Sequence, residues 1–178
     1  MARLPRLRLL SVLLAGGIAA AAATAYDETR DPWIRGVFTG HSPRAVLASD
    51  AEAWNEVGRL VSEVPDTFAL VGTGRSMQPL YPAGTILVLR EVDYRDLRSG
   101  QTVVYRSRAQ RAVAHVLVAK ARDGWRVRGL NNRTHDMEPV VADNLIGVVV
   151  AAYLPTRRDD GAVATARRAT NRAVFLSH

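Results

Sequence analysis

From residue 68 onward, short apolar blocks recur along the chain: Phe68–Val71, Ile86–Leu89, Thr102–Tyr105, Ala112–Ala119, Trp125–Arg128 and Leu145–Ala152. Turn-forming residues separate most of them, at Pro82-Ala83-Gly84, Ser99-Gly100, Asp123-Gly124 and Asn131-Asn132. Blocks of this length, with no helical period between them, predict a mainly β domain of antiparallel or barrel-like form. One stretch has the other period. Trp54, Val57, Leu60, Val61 and Val64 recur at helical spacing, Ser49-Asp50-Ala51-Glu52 before them has the capping-box pattern, and Pro65 ends the run. This predicts one amphipathic helix at the N-terminal side of the domain, packed on the strands.

The two ends read differently. Arg3, Arg6 and Arg8 precede an uncharged stretch from Leu9 to Ala25 that closes on Ala23-Thr24-Ala25. A basic start, an apolar run and a small-x-small ending describe an export signal over residues 1–25, and the run also just reaches the length of an N-terminal membrane anchor. Either form places the remainder on the exported side of the cytoplasmic membrane, attached there or released after cleavage. Residues 26–48, with mixed charge, Pro32 and Pro43, read as a linker or arm; 49–155 form the β domain; 156–178 are a basic tail. The 178 residues are 48% apolar, enough for one core. The net charge of +7 suits an anionic membrane surface. Nucleic acid is not expected as a partner, because the basic residues are scattered, with no interleaved aromatics and no recognition helix. Without cysteine, thiol catalysis and zinc–thiolate sites are excluded.

Candidate chemistry centres on Gly72-Thr73-Gly74-Arg75-Ser76-Met77-Gln78-Pro79, which follows the first strand block. Two glycines before Ser76 permit an unusual backbone path, and Pro79 prevents helical continuation, so the hydroxyl is presented from a turn. A serine needs a base to become a nucleophile. Apart from the terminal residue the histidines are His41, His115 and His135, and only His115 lies within a strand block, Val113-Ala114-His115-Val116-Leu117-Val118. Asp136, in the polar turn Gly129 to Asp136, is placed to orient an imidazole. Lys120 is the only lysine. In a regular strand its odd offset from His115 sends it to the opposite face, unless a bulge intervenes.

These segments, in this order, resemble the signal peptidase I family of membrane-associated serine endopeptidases. The match to its serine box is Gly74-Arg75-Ser76-Met77-Gln78-Pro79, and His115 falls at the base position of the branch that uses histidine. Gly84, Gly100, Gly129, Asn131 and Asn132 match later positions, while Thr85, Gln101 and Leu130 stand where the family usually has acids. The resemblance, over about residues 68–152, implies Ser76 as nucleophile, His115 as base, Asp136 as its orienting acid, and Met77 and Pro79 beside the substrate. It further implies an extended peptide of an exported protein as substrate, cut after small residues, with no metal or cofactor. Two other readings stay open: a peptide- or partner-binding domain of the same fold with impaired catalysis, suggested by the replaced acids, and a self-cleaving repressor-type domain, which would use lysine.

Overall fold

The computed structural model describes residues 30–156 and 174–176, the latter as backbone. The predicted blocks all appear as strands. In chain order they are β1 (Trp33–Ile34), β2 (Val37–Phe38), β3 (Ala45–Ser49), β4 (Thr67–Gly72), β5 (Ile86–Arg90), β6 (Thr102–Arg106), β7 (Ala112–Ala121), β8 (Gly124–Arg128), β9 (Leu145–Thr156) and β10 (Val174–Leu176). The helix α1 spans Asp50–Glu63, and its capping box is formed: Ser49 N–H donates to Glu52 Oε2 at 2.9 Å and Glu52 N–H to Ser49 Oγ at 3.3 Å. Its buried residues Ala53 and Val57 pack with Ala69, Ile86 and Val88 of β4 and β5.

Among the described residues the main sheet runs β10-β4-β5-β9-β6-β7-β8, with β3 paired to β9 off that path. The barrel-like expectation is corrected here, because the sheet does not close. The long strand β9 divides its length: Leu145–Val148 pairs β6, Val148–Tyr153 pairs β5, and Ala152–Thr156 pairs β3. One strand with three partners lets the two halves of the sheet fold toward each other over a shared core rather than meet edge to edge. That core joins Leu70, Leu87 and Leu89 of one half to Val104, Val116 and Leu130 of the other, with Met77, Leu80 and Tyr81 of the serine loop between. A second cluster, Val103, Tyr105, Leu117, Trp125 and Val127 with Val140 and Val148, fills the other face of β6–β8.

The linker expected over 26–48 is also corrected from residue 33 on. Arg35 and Gly36, at φ 50° and 75°, make a tight turn between β1 and β2, and Ile34 and Val37 on either side of it are buried in the first core. Two positive φ values in succession are the two-residue hairpin signature; arginine at the first of them concealed it. β3 then joins the sheet parallel to β9. At the other end, part of the expected basic tail is a strand, β10, parallel to β4. The export or anchor segment at 1–25 lies outside the described residues, and no described helix is long and apolar enough to cross a membrane.

Candidate active site

β4 and β5 form a hairpin whose connection, residues 73–85, carries Ser76. Gly72 closes its base, donating N–H to Thr85 O at 2.8 Å and accepting Gly84 N–H at 2.7 Å. Within the loop Gln78 N–H reaches Arg75 O and Tyr81 N–H reaches Met77 O, while Met77, Leu80 and Tyr81 anchor it in the core. The Gln78–Pro79 peptide is cis. Ser76 itself is half-buried. Among the described residues its N–H enters no backbone hydrogen bond, while its carbonyl accepts Asn131 N–H at 2.7 Å.

His115 lies on β7 opposite Val103 of β6, and Val113 opposite Tyr105. Alternation along strands therefore puts Val103, Tyr105, Val113 and His115 on one face. His115 is 5% exposed, and its Nδ1 lies 2.5 Å from Asp136 Oδ2. Asp136 arrives from the loop after β8, which returns to the sheet where Val140 and Trp125 exchange N–H···O bonds of 2.8 and 2.9 Å. Asp136 N–H holds the loop to Val127 O. The same carboxylate oxygen accepts the Tyr105 hydroxyl. Burial first, and then this contact with Asp136, keeps the Tyr105 phenol well above its ordinary pKa, so it remains a donor through the neutral range. Tyr105 was not legible as a site residue in the sequence; its only signal is the alternation of the β6 block, which becomes informative once the register against β7 is known.

Ser76 and His115 line one cavity of about 230 Å³, together with Gly72, Gly74, Met77, Tyr81, Leu87, Asn132 and Arg111–Ala114. The two side chains are not hydrogen-bonded to each other among the described contacts. What sets their spacing is Gly129. A Cβ there would stand 2.7 Å from His115 Nε2, 2.8 Å from Asn132 Nδ2 and 2.9 Å from Ser76 O. Only a residue without a side chain lets the serine loop, the imidazole and the 129–132 turn converge. The first hairpin adds to this convergence: the Arg35 guanidinium donates to Asn131 Oδ1, on the residue whose N–H holds Ser76 O.

The other expected site residues fall elsewhere. Met77 lines the cavity while belonging to the core, and Pro79 is not in the lining. His135 is exposed, and His41 is exposed with Nδ1 2.7 Å from Ser99 O. The bulge weighed for Lys120 exists, between Leu117 and Ala119, and returns Lys120 to the face of Leu117 and Trp125. The lysine nevertheless stands about 13 Å or more down the strand from His115, at about 3.3 Å per residue. The residue is exposed, with Nζ 5.7 Å from the Tyr94 ring centre and 6.0 Å from that of Trp125.

The three positions that depart from the acidic pattern have local duties. Thr85 is fully buried and donates to Pro82 O at 2.6 Å, a turn bond that an ionised carboxylate could not make, while Gln101 Oε1 accepts Arg98 N–H at 2.7 Å, as an aspartate oxygen would. Gly84 and Gly100 before them adopt φ of 92° and 85°, which explains the glycines. Leu130 is fully buried in the first core. Restoring an acid there by Leu130→Asp would bury an unpaired carboxylate and is expected to destabilise the fold by roughly 3–5 kcal/mol. A denaturant midpoint left unchanged would show that this site is not packed as described.

A protein-family model described as Peptidase S24-like matches residues 19–150, well over half of the chain. The chain belongs to the Peptidase S24-like family. No curated protein matches it. Membership supports a serine peptidase-type fold, and the open, mainly antiparallel sheet, with one α-helix among the described residues, is consistent with it. The match stands at the level of the S24-like peptidases and does not single out signal peptidase I.

Proposed function

We propose that this S24-like protein is a serine endopeptidase in which Ser76 is the nucleophile, His115 the general base and Asp136 the residue that orients it. The observation that carries the reading is the buried His115, backed at Nδ1 by Asp136 and sharing one cavity with Ser76. With Nδ1–H given to the carboxylate, Nε2 is the acceptor, and it takes the Ser76 proton as Oγ attacks the scissile carbonyl. The same proton passes to the leaving amine, and His115 then activates the water that releases the acyl group. The Ser76 N–H is available to the oxyanion. Catalytic hydrogen bonds often tighten only with substrate bound, so a base and nucleophile that share a cavity without yet bonding fit this assignment.

The cavity is small for a ligand pocket and walled near Ser76 by Met77, Tyr81, Leu87, Ala112 and Ala114, which favours small side chains beside the scissile bond. That preference, with the export-type N-terminal sequence, supports a signal-peptidase-like role on exported proteins at a membrane surface. The family match fits a self-cleaving repressor-type domain equally well. What favours the first reading is the base, since the lone lysine sits outside the cavity lining.

The test is to incubate the full chain with a proteome-derived peptide library and map new termini by mass spectrometry. Internal cuts after small residues are expected. Fragments of the protein's own chain, with the library intact, would move the assignment to self-cleavage, and an unchanged library and chain would leave a binding domain. A narrower prediction concerns Gly129. Gly129→Ala forces the imidazole and the Ser76 carbonyl apart, and cleavage is expected to fall about 100-fold with the fold retained by circular dichroism. Full activity in that variant would mean that Ser76 and His115 need not meet.

A further inference from the structure

We propose that the backbone segment Val174–Leu176 is an intramolecular competitor for the extended peptide, docked on the strand edge that leads to Ser76. The inference rests on the peptidase reading of the site and assigns that site a regulator within the same chain. β10 pairs parallel with β4 in the register Val174↔Leu70, Phe175↔Val71 and Leu176↔Gly72. It therefore runs in the direction of β4, toward the loop that carries Ser76. Gly72 turns both its N–H and its carbonyl to the β5 side, to Thr85 and Gly84. By the alternation of strand groups, Val71 turns its own to the opposite edge, where β10 lies.

The cavity has a second strand edge across from this one. β7 pairs β6 from Ala112 to Val116, but its pairing with β8 begins only at Val116. Over residues 112–115, among the described strands, β7 thus has a ladder on one side only, and these residues line the cavity opposite Gly72 and Gly74. An extended peptide entering such a space adds as a strand, drawing affinity from main-chain bonds to the edges it meets. β10 already holds the β4 edge at the point where that edge reaches the cavity. A three-residue ladder is weak by itself, but tethering within one chain replaces free concentration with an effective concentration in the millimolar range. The occupant is thus strong enough to compete and weak enough to be displaced.

The experiment compares two full-length proteins, both carrying Ser76→Ala, one of them also Leu176→Pro. By the same alternation the Leu176 N–H turns to β4 and meets the Val71 carbonyl; proline there removes that donor and fixes φ, which disfavours strand pairing in β10. The probe is a fluorescein-labelled peptide with the sequence of residues 172–178, followed by fluorescence anisotropy. Binding about ten-fold tighter to the proline variant is expected, along with faster amide exchange in that variant at Val71, whose N–H faces β10. Equal affinity for the two proteins, no binding to either, or unchanged exchange at Val71 overturns the proposal. Exchange protection that grows with protein concentration also overturns it, since the strand would then come from a second copy. Because both proteins lack the serine hydroxyl, the assay is independent of cleavage. Should the unmutated protein cleave nothing in the library assay, the expected binding pattern here still supports the docked tail, and only the peptidase reading falls.

Discussion

His115→Ala is expected to lower kcat/KM for peptide cleavage roughly 10²–10⁴-fold, and Ser76→Ala to remove it to background, while Lys120→Ala changes it by no more than about two-fold. The reason is positional. His115 is buried on the cavity wall with a carboxylate behind it, whereas Lys120 is solvated over Tyr94 and Trp125. A lysine base must stand beside its nucleophile, and Lys120 is exposed near the end of β7, outside the lining of the cavity that holds Ser76. Steady-state kinetics on the three variants decides between the bases. A Lys120→Ala protein as dead as Ser76→Ala, with His115→Ala active, would transfer the role to the lysine and require the strand to rearrange on substrate binding.

Asp136→Asn should cost on the order of 10⁴-fold in kcat with little change in KM, the scale of loss when an orienting carboxylate becomes an amide. Asp136 Oδ2 accepts two donors, His115 Nδ1–H and the Tyr105 hydroxyl. An amide offers one acceptor oxygen and one NH₂ group, so it cannot hold Nδ1–H with both carboxylate oxygens still available as alternatives, and the wrong tautomer of the imidazole gains population. Tyr105→Phe keeps the carboxylate but removes one of its bonds, with an expected loss of about ten-fold, the scale of a single hydrogen bond. Both residues act through His115, and proton NMR provides a readout that loss of packing would not mimic. The downfield Nδ1–H signal should vanish in Asp136→Asn and persist, shifted, in Tyr105→Phe. If Asp136→Asn keeps kcat, the carboxylate is a structural partner of His115 and nothing more.

How far the site was readable follows from where its information lies. Ser76 announces itself through contiguous residues, because a glycine-rich turn closed by proline is a local backbone requirement. The strands were equally legible, since apolar blocks bounded by turn residues are local too. The capping box at Ser49 and Glu52 was read from a spacing of three and is made by those same side chains. Lys120 shows the limit of such reasoning. Parity along a strand placed it on the far face, a bulge reversed that, and distance rather than face then kept it from the serine.

The amino-acid sequence by itself determined the strand blocks, the amphipathic helix, the serine turn and the candidate pair His115 and Asp136, because each depends on periodicity or on neighbours in the chain. Only the tertiary structure decided that the sheet stays open, that Ile34 and Val37 close part of its core, and that Tyr105 stands behind Asp136. It also decided that Gly129 must lack a side chain where His115 Nε2 and Ser76 O converge, and that residues 174–176 lie along β4. These are contacts between segments tens of residues apart. They depend on strand register and on how the sheet folds over its core, and no local pattern of hydrophobic and polar residues encodes either one.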